Sequence, residues 1–567
     1  MNNFNNFEHP YPYNPLYKKR GAYFCMEFGI DQALKIYSGG LGYLAGSHMR
    51  SAYELRQNMV GIGMLWKYGY YDQVREGDKS MKAHFIEKDY SFLQDTGITF
   101  DIEINRHPVK VKAWYLAPEV FGTAPIFLLS TDLPENDWLA RTITHRLYDS
   151  NIETKVAQCV LLGVGGAKLL DLLNYNPEFY HLNEAHALPA AFYLYKKYGQ
   201  MSEVTKRLVF TTHTPVAAGN EKHDIRLLNK MGFFCGTPVQ QVRQMLDVQG
   251  DVFDHTLSCL RLARIANGVS RMHGEVANQM WGGYHSICPI ISITNSQNHK
   301  YWADTQLDAA LKDDDDARLV ERKATLKGKL FSMVANQTGK IFDPKVLTIV
   351  WARRFAPYKR ADLITRDMRR FERLVTDTER PVQVIWAGKP YPMDYDAISK
   401  FNGLVHLSKQ YNNCAVLVGY ELFLSKRLKQ GSDIWLNTPR VPREASGTSG
   451  MTAAMNASVN FSTQDGWIPE FAQHGVNSFI VPLVDANLPE YEQDAQDMKH
   501  FLDQLEFEIL PMYYDEHEKW LTVVKNSMNQ VVPYFDADRM AHEYYEKLYQ
   551  AEGRLAASTP KAVRMGM

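Results

Sequence analysis

The sequence predicts an α/β protein whose sheets are built mainly from parallel strands. Short apolar runs alternate with longer helical patterns along the 567 residues, as they do in chains of strand–helix–strand units. Several of these runs end in glycine-rich or polar segments, where open α/β sheets bind their ligands. The chain is too long for one domain of usual size, so two or three domains are expected.

The amino-terminal half contains the first set of predicted strands. Their apolar runs are bounded by glycine, proline and polar residues, as strand ends usually are. The predicted strands cover residues 23–28, 59–66, 111–116, 126–130, 179–183, 208–214 and 290–295. A long helix is predicted over 151–173, and the glycines within 163–166 predict close packing of another element there.

A second set of strands is predicted in the carboxyl-terminal half. The four acids at 313–316 predict the exposed start of a helix over 317–335 rather than a metal site, since helix amino termini favour negative charge. Strands are then predicted at 346–352, 382–388, 415–420, 433–436, 459–461 and 477–481. We expect domains at 1–300 and 301–515, followed by carboxyl-terminal helices at 516–567.

The charge balance excludes two classes of partner. The net charge is −1, from 63 basic and 64 acidic residues. A protein that binds nucleic acid or an anionic membrane surface usually has a basic excess or a basic patch. We therefore expect neither partner, and a neutral carbohydrate ligand fits this balance.

The cysteines and the apolar segments predict a cytoplasmic protein. The six cysteines are scattered and form no CxxC pair, which is typical of buried thiols in a reducing compartment. The first 19 residues are polar and lack the apolar core of a signal peptide. No apolar run approaches the ~20 residues that a membrane-spanning helix needs.

A cluster of cations between residues 353 and 360 predicts an anion site. Arg353, Arg354, Lys359 and Arg360 follow a buried strand and precede a predicted helix. Helix amino termini and charge-assisted hydrogen bonds both favour anions there. The alternative, a solvated basic turn, fits poorly with the aromatic residues interspersed in this segment.

The segment 433–470 is the most informative stretch of the sequence. A strand is followed by Arg440, Arg443 and Glu444, and then by residues 446–450, Ser-Gly-Thr-Ser-Gly, which lead into a helix. Glycines allow a close approach of a ligand to the backbone, and the first amides of the helix favour an anion. Ordinary capping of the helix by serine and threonine explains the same residues equally well.

Three further segments place polar or glycine residues at strand ends. Gly39, Gly40 and Gly42 follow the first predicted strand, Glu184 and His186 follow a later one, and His213 follows another. Tight turns explain most such glycines, and a single histidine at a strand end is more often structural. Both polar segments follow strands at the carboxyl end, where open α/β sheets bind ligands.

These segments resemble those of the α-glucan (glycogen, starch and maltodextrin) phosphorylases. Residues 444–451, Glu-Ala-Ser-Gly-Thr-Ser-Gly-Met, are similar to the family signature, and the segments GGLG, LNEAH and THTPVAAG have counterparts in the family. The resemblance runs from about Tyr23 to about Ala551 and is strongest to the short bacterial members. It implies a GT-B fold: two Rossmann-like domains that face each other across a cleft, with the terminal helix returning to the first domain.

The resemblance also implies site residues. Arg354 and Lys359 would hold phosphate, His213 would lie beside the donor sugar, and Glu444 would bind a sugar hydroxyl. The implied catalytic residues are His213, Arg354, Lys359 and Glu444. The implied substrate-binding residues are Gly39, Gly40, Leu41, Gly42, Glu184, His186, Asn295, Tyr358, Ser446, Gly447 and Thr448. Ser296 stands where the family usually has a glycine after this asparagine.

The family's cofactor residue is absent from this sequence. In the phosphorylases a lysine follows the signature and holds pyridoxal phosphate as a Schiff base, and Thr452 occupies the matching position. Threonine has no amine and cannot form this bond. We therefore expect no covalent cofactor, and pyridoxal phosphate at most as a non-covalent ligand.

Three functions are compatible with these features. The first is retaining transfer of glucose between an α-1,4-glucan and phosphate, with glucose 1-phosphate as the other sugar compound. The second is retaining transfer from a nucleotide sugar without pyridoxal phosphate. The third is glucan binding without catalysis. The expected ligands are thus an α-glucan or oligosaccharide together with phosphate, glucose 1-phosphate or a nucleotide sugar, and a homodimer is compatible with the sequence.

Overall fold

The computed structural model of the chain describes residues 4–551 and contains two large sheets. The first sheet has nine strands in the spatial order β9-β8-β7-β6-β1-β2-β5-β4-β3. All neighbours are parallel except that β4 is antiparallel to β3 and β5. The strands are β1 (Gly21–Phe24), β2 (Met59–Met64), β3 (Gln94–Ile104), β4 (His107–Leu116), β5 (Ile126–Ser130), β6 (Phe179–Asn183), β7 (Leu208–Thr211), β8 (Ile265–Gly268) and β9 (Ile290–Ser292).

The second sheet has six strands, all parallel, in the order β12-β11-β10-β13-β14-β15. This is the strand order of a doubly wound dinucleotide-binding sheet, in which ligands bind beside the two central strands, where the order reverses. Here those strands are β10 and β13. The six strands are β10 (Leu347–Ala352), β11 (Val382–Ala387), β12 (Cys414–Leu417), β13 (Ile434–Asn437), β14 (Val459–Ser462) and β15 (Ser478–Ile480).

Helices connect the strands and cover the faces of both sheets. Two small hairpins, Asp72–Arg75 with Met81–His84 and Lys222–Asp224 with Val252–Asp254, lie outside the two sheets. The α-helices are Gly40–Glu54, Pro118–Phe121, Trp138–Thr142, Ile152–Val160, Gly166–Leu172, Pro189–Tyr198, Met201–Thr205, Ile225–Lys230, Val239–Leu246, His255–Leu262, Arg271–Trp281, His299–Trp302, Thr305–Lys312, Asp316–Thr338, Met368–Thr376, Tyr395–Ser408, Leu422–Gly431, Ser449–Ala454, Ile468–Phe471, Glu490–Gln504, Leu510–Asp515, His517–Phe535 and Ala537–Glu543.

The α/β class is confirmed, and two sheets of this kind are consistent with the GT-B fold. The predicted strands are all present, but four of them end three or four residues early: those predicted over 23–28, 208–214, 290–295 and 415–420. The strand predicted over 23–28 ends at Phe24, because the chain then turns and Phe28 N–H donates to Ile36 O at 3.1 Å. The strand predicted over 208–214 ends at Thr211, because the backbone N–H of His213 donates to the carboxylate of Glu184.

One long strand and both hairpins were missed by the sequence patterns. Strand β3 is exposed on one face along much of its length, and the apolar residues of its buried face are separated by Glu, Asp and Thr. Such an antiparallel strand at the edge of a sheet lacks the continuous apolar run that marks a buried parallel strand. The hairpins are short and carry charged side chains, so their sequences resemble loops.

The glycines within 163–166 do mark close packing. The predicted helix over 151–173 is interrupted by a π-helical segment, Leu161–Gly165. A Cβ atom on Gly163 would lie 2.7 Å from Ala190 N and 2.8 Å from Ala187 O. The next helix of the chain therefore packs directly on this backbone, and only glycine leaves room for it.

The carboxyl-terminal residues pack against the first sheet. Tyr544 and Tyr549 in the segment Tyr544–Tyr549 are buried, and the phenol of Tyr549 shares a 2.7 Å hydrogen bond with His181 Nδ1 on β6. Arg264, which precedes β8, donates to the carbonyls of Leu548 and Tyr549 at 2.8 Å. These contacts place the end of the described chain on the first sheet.

The division into domains at 300 and 515 stays a prediction, and residues 552–567 of the third segment lie outside the described residues. Asp315 caps the helix Asp316–Thr338 by accepting from Arg318 N–H at 3.0 Å, so the acids at 313–316 begin a helix as expected. Within residues 4–551, no cluster of three or more His, Cys, Asp or Glu side chains could hold a metal ion. No helix among these residues is long and apolar enough to cross a membrane.

Candidate active site

A cavity of about 390 Å³ lies at the carboxyl ends of strands from both sheets. From the first sheet it receives residues that follow β1, β6 and β7. From the second sheet it receives residues that follow β10 and β13. In both sheets these are the strand ends that bind ligands in open α/β folds. The cavity therefore combines the ligand-binding edges of the two sheets in one space.

The glycine loop of the first sheet is held by Glu27. Its carboxylate accepts from Ser38 N–H at 2.6 Å and Gly39 N–H at 3.1 Å, and Tyr148 donates its phenol to Oε1 at 2.7 Å. Gly39, Gly40 and Leu41 line the cavity. Gly42 lies behind them: a Cβ there would be 2.7 Å from Glu27 Oε2, so this glycine permits the close approach of the carboxylate.

Glu184 holds the loop that follows β7. It adopts φ +65° and ψ 171°, a conformation that is strained for any residue other than glycine. In this position its carboxylate accepts from the backbone of His213 and from Thr214 Oγ1 at 3.2 Å. Burial raises the pKa of Glu184 despite these hydrogen bonds. The strain is thus offset by contacts that fix the cavity wall.

His213 is a neutral group in this wall. One ring nitrogen, Nε2, shares a 2.7 Å hydrogen bond with Asn183 Oδ1, which accepts the ring proton. Burial lowers the pKa of His213 to about 3. The imidazole can therefore orient a ligand by hydrogen bonding, but it does not hold an extra proton near neutral pH.

Several buried polar atoms in the cavity have no hydrogen-bond partner in the described part of the chain. They are His186 Nδ1, Asn295 Oδ1, Tyr43 Oη and Arg353 Nε. An unpaired buried polar atom costs about 1–3 kcal/mol. All four atoms are enclosed by the surrounding protein, so they belong to the polar wall behind the cavity surface.

On the second sheet, Glu444 is paired with two cations. Lys359 Nζ donates to Glu444 Oε2 at 2.9 Å, and Arg353 Nη1 lies 3.4 Å from the same oxygen. Burial alone would raise the pKa of Glu444, but the charges of Lys359 and Arg353 outweigh it and lower the pKa. Burial lowers the pKa of Lys359 to about 8, against the opposing charge of Glu444.

Arg354 is the accessible cation of the cavity. Its side chain has no hydrogen bond or ion pair with any of the residues 4–551, and it remains accessible in the cavity among Tyr70, Tyr148 and Tyr358. Burial opposes the charge of Arg354, but the nearby phenols and Glu444 outweigh it and raise the pKa. A fully charged guanidinium with all its donors free suits an incoming anion.

The two arginines of the loop after β13, Arg440 and Arg443, form ion pairs with acidic residues outside the cavity lining. Arg440 is buried, and its guanidinium donates to both carboxylate oxygens of Asp494 at 2.9 Å. Arg443 lines the cavity but donates to Glu490 at 2.6 Å. Arg440 is therefore a structural residue, and Arg443 lies at the rim in an ion pair.

The signature loop and Thr452 have different positions. Ser446, Gly447 and Thr448 line the cavity, and Gly447 has φ +72°, which suits glycine. Thr452 does not line it: the side chain is fully buried in the helix Ser449–Ala454, and Oγ1 donates to Ser449 O at 3.0 Å.

Sequence comparison with known proteins indicates the family to which this chain belongs. The chain is 33% identical to a maltodextrin phosphorylase of Thermococcus litoralis, over 94% of this chain and 71% of the relative. It is 30% identical to a glycogen phosphorylase of Mycobacterium tuberculosis, over 93% and 70% of the two chains. An uncharacterized protein of Methanocaldococcus jannaschii is 47% identical over 94% of this chain and its own full length. A scan against protein-family models gave no match.

This chain belongs to the glycogen and maltodextrin phosphorylase family. The resemblance recognised in the signature therefore extends over almost the whole chain. Thr452 is the predicted counterpart of the family lysine, and the surroundings of that residue decide whether a tethered cofactor would fit.

The residues around Thr452 do not fit a tethered pyridoxal phosphate. Asn456 Nδ2 donates to the carbonyls of Thr452 at 2.7 Å and Trp302 at 3.0 Å. Lys429 lies on the Trp302 ring, with Nζ 3.8 Å from the centroid, and is almost completely buried. Neither Thr452, Trp302 nor Lys429 lines the cavity. Because Thr452 is fully buried and none of these residues lines the cavity, no part of the cavity adjoins the side chain at position 452.

Lysines that do line the cavity are already paired. Lys359 is bound to Glu444, and Lys389 donates to Glu421 at 2.9 Å and to Tyr71 O at 2.7 Å. Burial lowers the pKa of Lys389, although the charge of Glu421 opposes this. Neither lysine is a free amine that could replace the missing one without breaking an ion pair.

Two positioning residues were missed by the sequence patterns. Glu27 fixes the glycine loop, and Asp465 accepts the backbone N–H of Glu444 at 2.9 Å. Burial raises the pKa of Asp465 to about 7. Both residues follow the end of a buried strand, which is the signal that could have identified them. The individual roles assigned to the site residues stay predictions.

Anion binding in the cavity is expected to weaken above about pH 8. Lys359 loses its charge as the pH rises through its pKa of about 8, whereas Glu444 and the arginines stay charged. Removing one charge-assisted hydrogen bond should reduce affinity for sulfate, which stays dianionic, by about tenfold. Calorimetric titration with sulfate across this pH range measures the change.

The matched variant is Lys359→Arg, which keeps its charge at alkaline pH and should bind sulfate with little pH dependence. A decline of the same size in both proteins would contradict this role of Lys359.

Proposed function

We propose that this chain is a retaining glucosyltransferase that moves glucose between an α-1,4-glucan and phosphate, with glucose 1-phosphate as the other sugar compound. The observation that supports this most directly is Arg354, which has no partner within residues 4–551 and lines a cavity that also contains the glycine loop and His213. The relatives are a maltodextrin phosphorylase and glycogen phosphorylases. Their names support an α-glucan as the substrate class.

The anion is proposed to bind at the end of β10. Arg353, Arg354 and Lys359 supply three positive charges there, and Glu444 neutralises one of them. The surplus charge suits a phosphate dianion. Because Arg354 has no protein partner within residues 4–551, its full hydrogen-bonding capacity is available to the phosphate oxygens.

The glucosyl unit is proposed to bind between this anion and the first sheet. The side chains of Asn295 and His186 line the cavity and are proposed to contact the sugar hydroxyls. Gly39 and Gly40 leave open space where side chains would otherwise project. The sugar would therefore lie on bare backbone, with its hydroxyls directed at fixed side chains.

The reaction can be balanced without a cofactor. In phosphorolysis, the bond from C1 to the departing glucan oxygen breaks, and a phosphate oxygen bonds to C1 on the same face. The proton of the phosphate passes to the departing oxygen, so atoms and charge balance. The negative phosphate stabilises the positive charge that develops at C1, and the cations hold the phosphate in place.

A nucleotide sugar is the second candidate donor. Arg354 is free, and Arg353 and Lys359 add positive charge beside it. This charge suits a diphosphate as well as a single phosphate. Assays with separate donors distinguish this candidate from glucose 1-phosphate.

Arg354→Ala should weaken binding of the anionic donor by about tenfold or more. Each charge-assisted hydrogen bond contributes about 1.5–3 kcal/mol, and 1.4 kcal/mol corresponds to tenfold in affinity. Isothermal calorimetry with phosphate and with glucose 1-phosphate measures the loss. The control is Arg380→Ala, at the amino end of β11, where the arginine is paired with Asp515 at 2.6 Å. Equal affinities of the two folded variants would refute the assignment.

Glu444→Gln should lower turnover by at least about tenfold, which is ~1.4 kcal/mol of activation free energy. The amide keeps the shape of the side chain but removes the charge that orients Lys359 and Arg353. Phosphate affinity should stay the same or increase, because two cations are then left unneutralised. Glucan binding should persist.

Steady-state kinetics should therefore separate the two effects, with a lower kcat and no rise in the KM for phosphate. The assay offers glucan plus phosphate, glucose 1-phosphate and nucleotide sugars in turn, and Glu490→Gln at the cavity rim is the matched control. If the unmodified protein binds glucan but turns over no donor in any of these assays, the result supports the third function, glucan binding without catalysis.

The protein should purify without covalently bound pyridoxal phosphate. Borohydride reduction followed by peptide mass analysis should find no pyridoxyl adduct, because Thr452 has no amine and its surroundings are filled. The Thr452→Lys variant should gain little, whereas Thr452→Lys combined with Lys429→Ala should acquire the adduct at position 452 and its absorbance. An adduct on any lysine of the unmodified protein, such as Lys359 or Lys389, would overturn this prediction.

A further inference from the structure

The two walls of the active-site cavity are connected by a small set of hydrogen bonds behind its surface. We call this set the joint. It consists of Ser270, Arg271 and Thr294, which follow β8 and β9 of the first sheet, and of Ala445 and Glu470, which follow β13 and β14 of the second sheet. Of these five residues only Ala445 lines the cavity, so the joint itself is set back from any ligand.

Glu470 is the centre of the joint. Its Oε1 accepts the backbone N–H of Arg271 at 2.8 Å, and its Oε2 accepts the hydroxyl of Thr294 at 2.7 Å. The Glu470 side chain is only 4% exposed. Arg271 begins the helix Arg271–Trp281, so the carboxylate lies at a helix amino terminus, where the dipole favours negative charge. One carboxylate beside the second sheet therefore holds two separate segments of the first.

Ser270 makes the other connection across the joint. Its hydroxyl donates to Ala445 O at 2.6 Å and accepts the backbone N–H of His273 at 3.0 Å, so both of its functions are used. Ser270 and Thr294 are almost completely buried. Hydrogen bonds that are shielded from water are stronger than exposed ones, and a lost partner there is not replaced by solvent. The joint is therefore expected to hold its geometry closely.

The joint is adjacent in sequence to residues that line the cavity. Thr294 precedes Asn295, whose side chain is proposed to contact the sugar. Ala445 lies between Glu444 and Ser446, which line the cavity on the side of the second sheet. The joint thus fixes the distance between the wall proposed to contact the sugar and the loop that carries Glu444.

The backbone that presents Glu470 is itself firmly packed. Glu470 belongs to the short helix Ile468–Phe471, and Trp467, Ile468 and Phe471 are buried. The rings of Trp467 and Phe471 stack with centroids 4.8 Å apart, and Trp467 N–H donates to Ser446 O at 3.0 Å. The carboxylate is therefore held by the same packed segment that supports the signature loop.

A fixed distance between the walls matters most for a ligand that contacts both of them. Glucose 1-phosphate is such a ligand under the proposed function, since its phosphate would lie on Arg354 and Lys359 and its sugar beside the first sheet. Inorganic phosphate would contact the second sheet alone. Walls that are already in place do not have to be ordered when the larger ligand binds, which favours its binding.

We propose that Glu470 is a positioning residue that sets the separation of the two cavity walls without touching the ligand. The identity of the ligand that spans the walls rests on the proposed function, whereas the joint rests on the contacts of Glu470 and Ser270. Loss of the Glu470 carboxylate would free the helix Arg271–Trp281 and Thr294 from the second sheet and leave the Ser270 hydroxyl as the remaining bond of the joint.

The first test compares two ligands on one variant. Glu470→Ala should lower the affinity for glucose 1-phosphate about tenfold and change the affinity for inorganic phosphate less than about twofold, because only the larger ligand needs both walls. Glu470→Gln keeps an acceptor for Arg271 N–H and a group that can donate to the Thr294 hydroxyl oxygen. It should therefore bind glucose 1-phosphate within about threefold of the unmodified protein. Isothermal calorimetry measures all of these affinities.

The matched control is Glu506→Ala. Glu506 accepts from Arg370 at 3.1 and 2.9 Å and does not line the cavity, so its loss should change neither affinity. An equal loss for both ligands in folded Glu470→Ala, or no loss for either, would overturn the role of Glu470. If the unmodified protein bound phosphate but not glucose 1-phosphate, the proposed function would fail instead, and the second test would decide on the joint.

The second test needs no ligand. By hydrogen–deuterium exchange, Glu470→Ala should exchange faster than the unmodified protein in peptides that cover residues 269–276 and also in peptides that cover residues 444–449. Glu506→Ala should show neither change. Faster exchange confined to residues 269–276 would mean that Glu470 only caps a helix, and would refute its effect on the separation of the walls.

Discussion

The ion pairs of Glu444 with Lys359 and Arg353 hold together the part of the second sheet on which the active-site cavity depends. Lys359 and Arg353 follow β10, whereas Glu444 lies in the loop after β13, so the pairs connect the two central strands at the point where the strand order reverses. Thr438 strengthens the same junction, since its hydroxyl donates to Lys359 O at 2.8 Å. Once these partners are engaged, Arg354 alone remains directed at the cavity. Arg354 is therefore free because Arg353 and Lys359 already share the carboxylate of Glu444.

Position 452, the predicted counterpart of the family lysine, lies in a tightly packed region. The helix Ser449–Ala454 packs near Trp302 and against the helix Leu422–Gly431, where Lys429 lies on the indole ring. A buried ammonium without a carboxylate partner is costly, and burial lowers the pKa of Lys429 well below its usual value. This region is thus a packed core, separate from the groups that line the cavity.

The two edges of the first sheet present different chemistry. At the carboxyl ends of its strands, Glu27 and Glu184 fix loops around a polar space that joins the cations of the second sheet. At the amino ends, the segment 7–13 covers the sheet with aromatic residues and prolines, and no comparable group of cations lines that region within the described residues.

The sequence by itself determined the class of fold, the second sheet and the family. Parallel strands buried on both faces leave continuous apolar runs, and all six strands of the second sheet were predicted from such runs. The exposed edge strand β3 was missed because its buried residues are separated by polar ones. The motifs also placed Arg354, His213 and Glu444 at strand ends. Only the tertiary structure decided which of the neighbouring cations is free and which residues, Glu27 and Asp465, hold the site. It also showed that Gly42 faces Glu27 and not the cavity, and that Thr452 is enclosed. These properties depend on which groups from distant parts of the chain satisfy one another's charges and hydrogen bonds, and no local pattern in the sequence encodes that pairing.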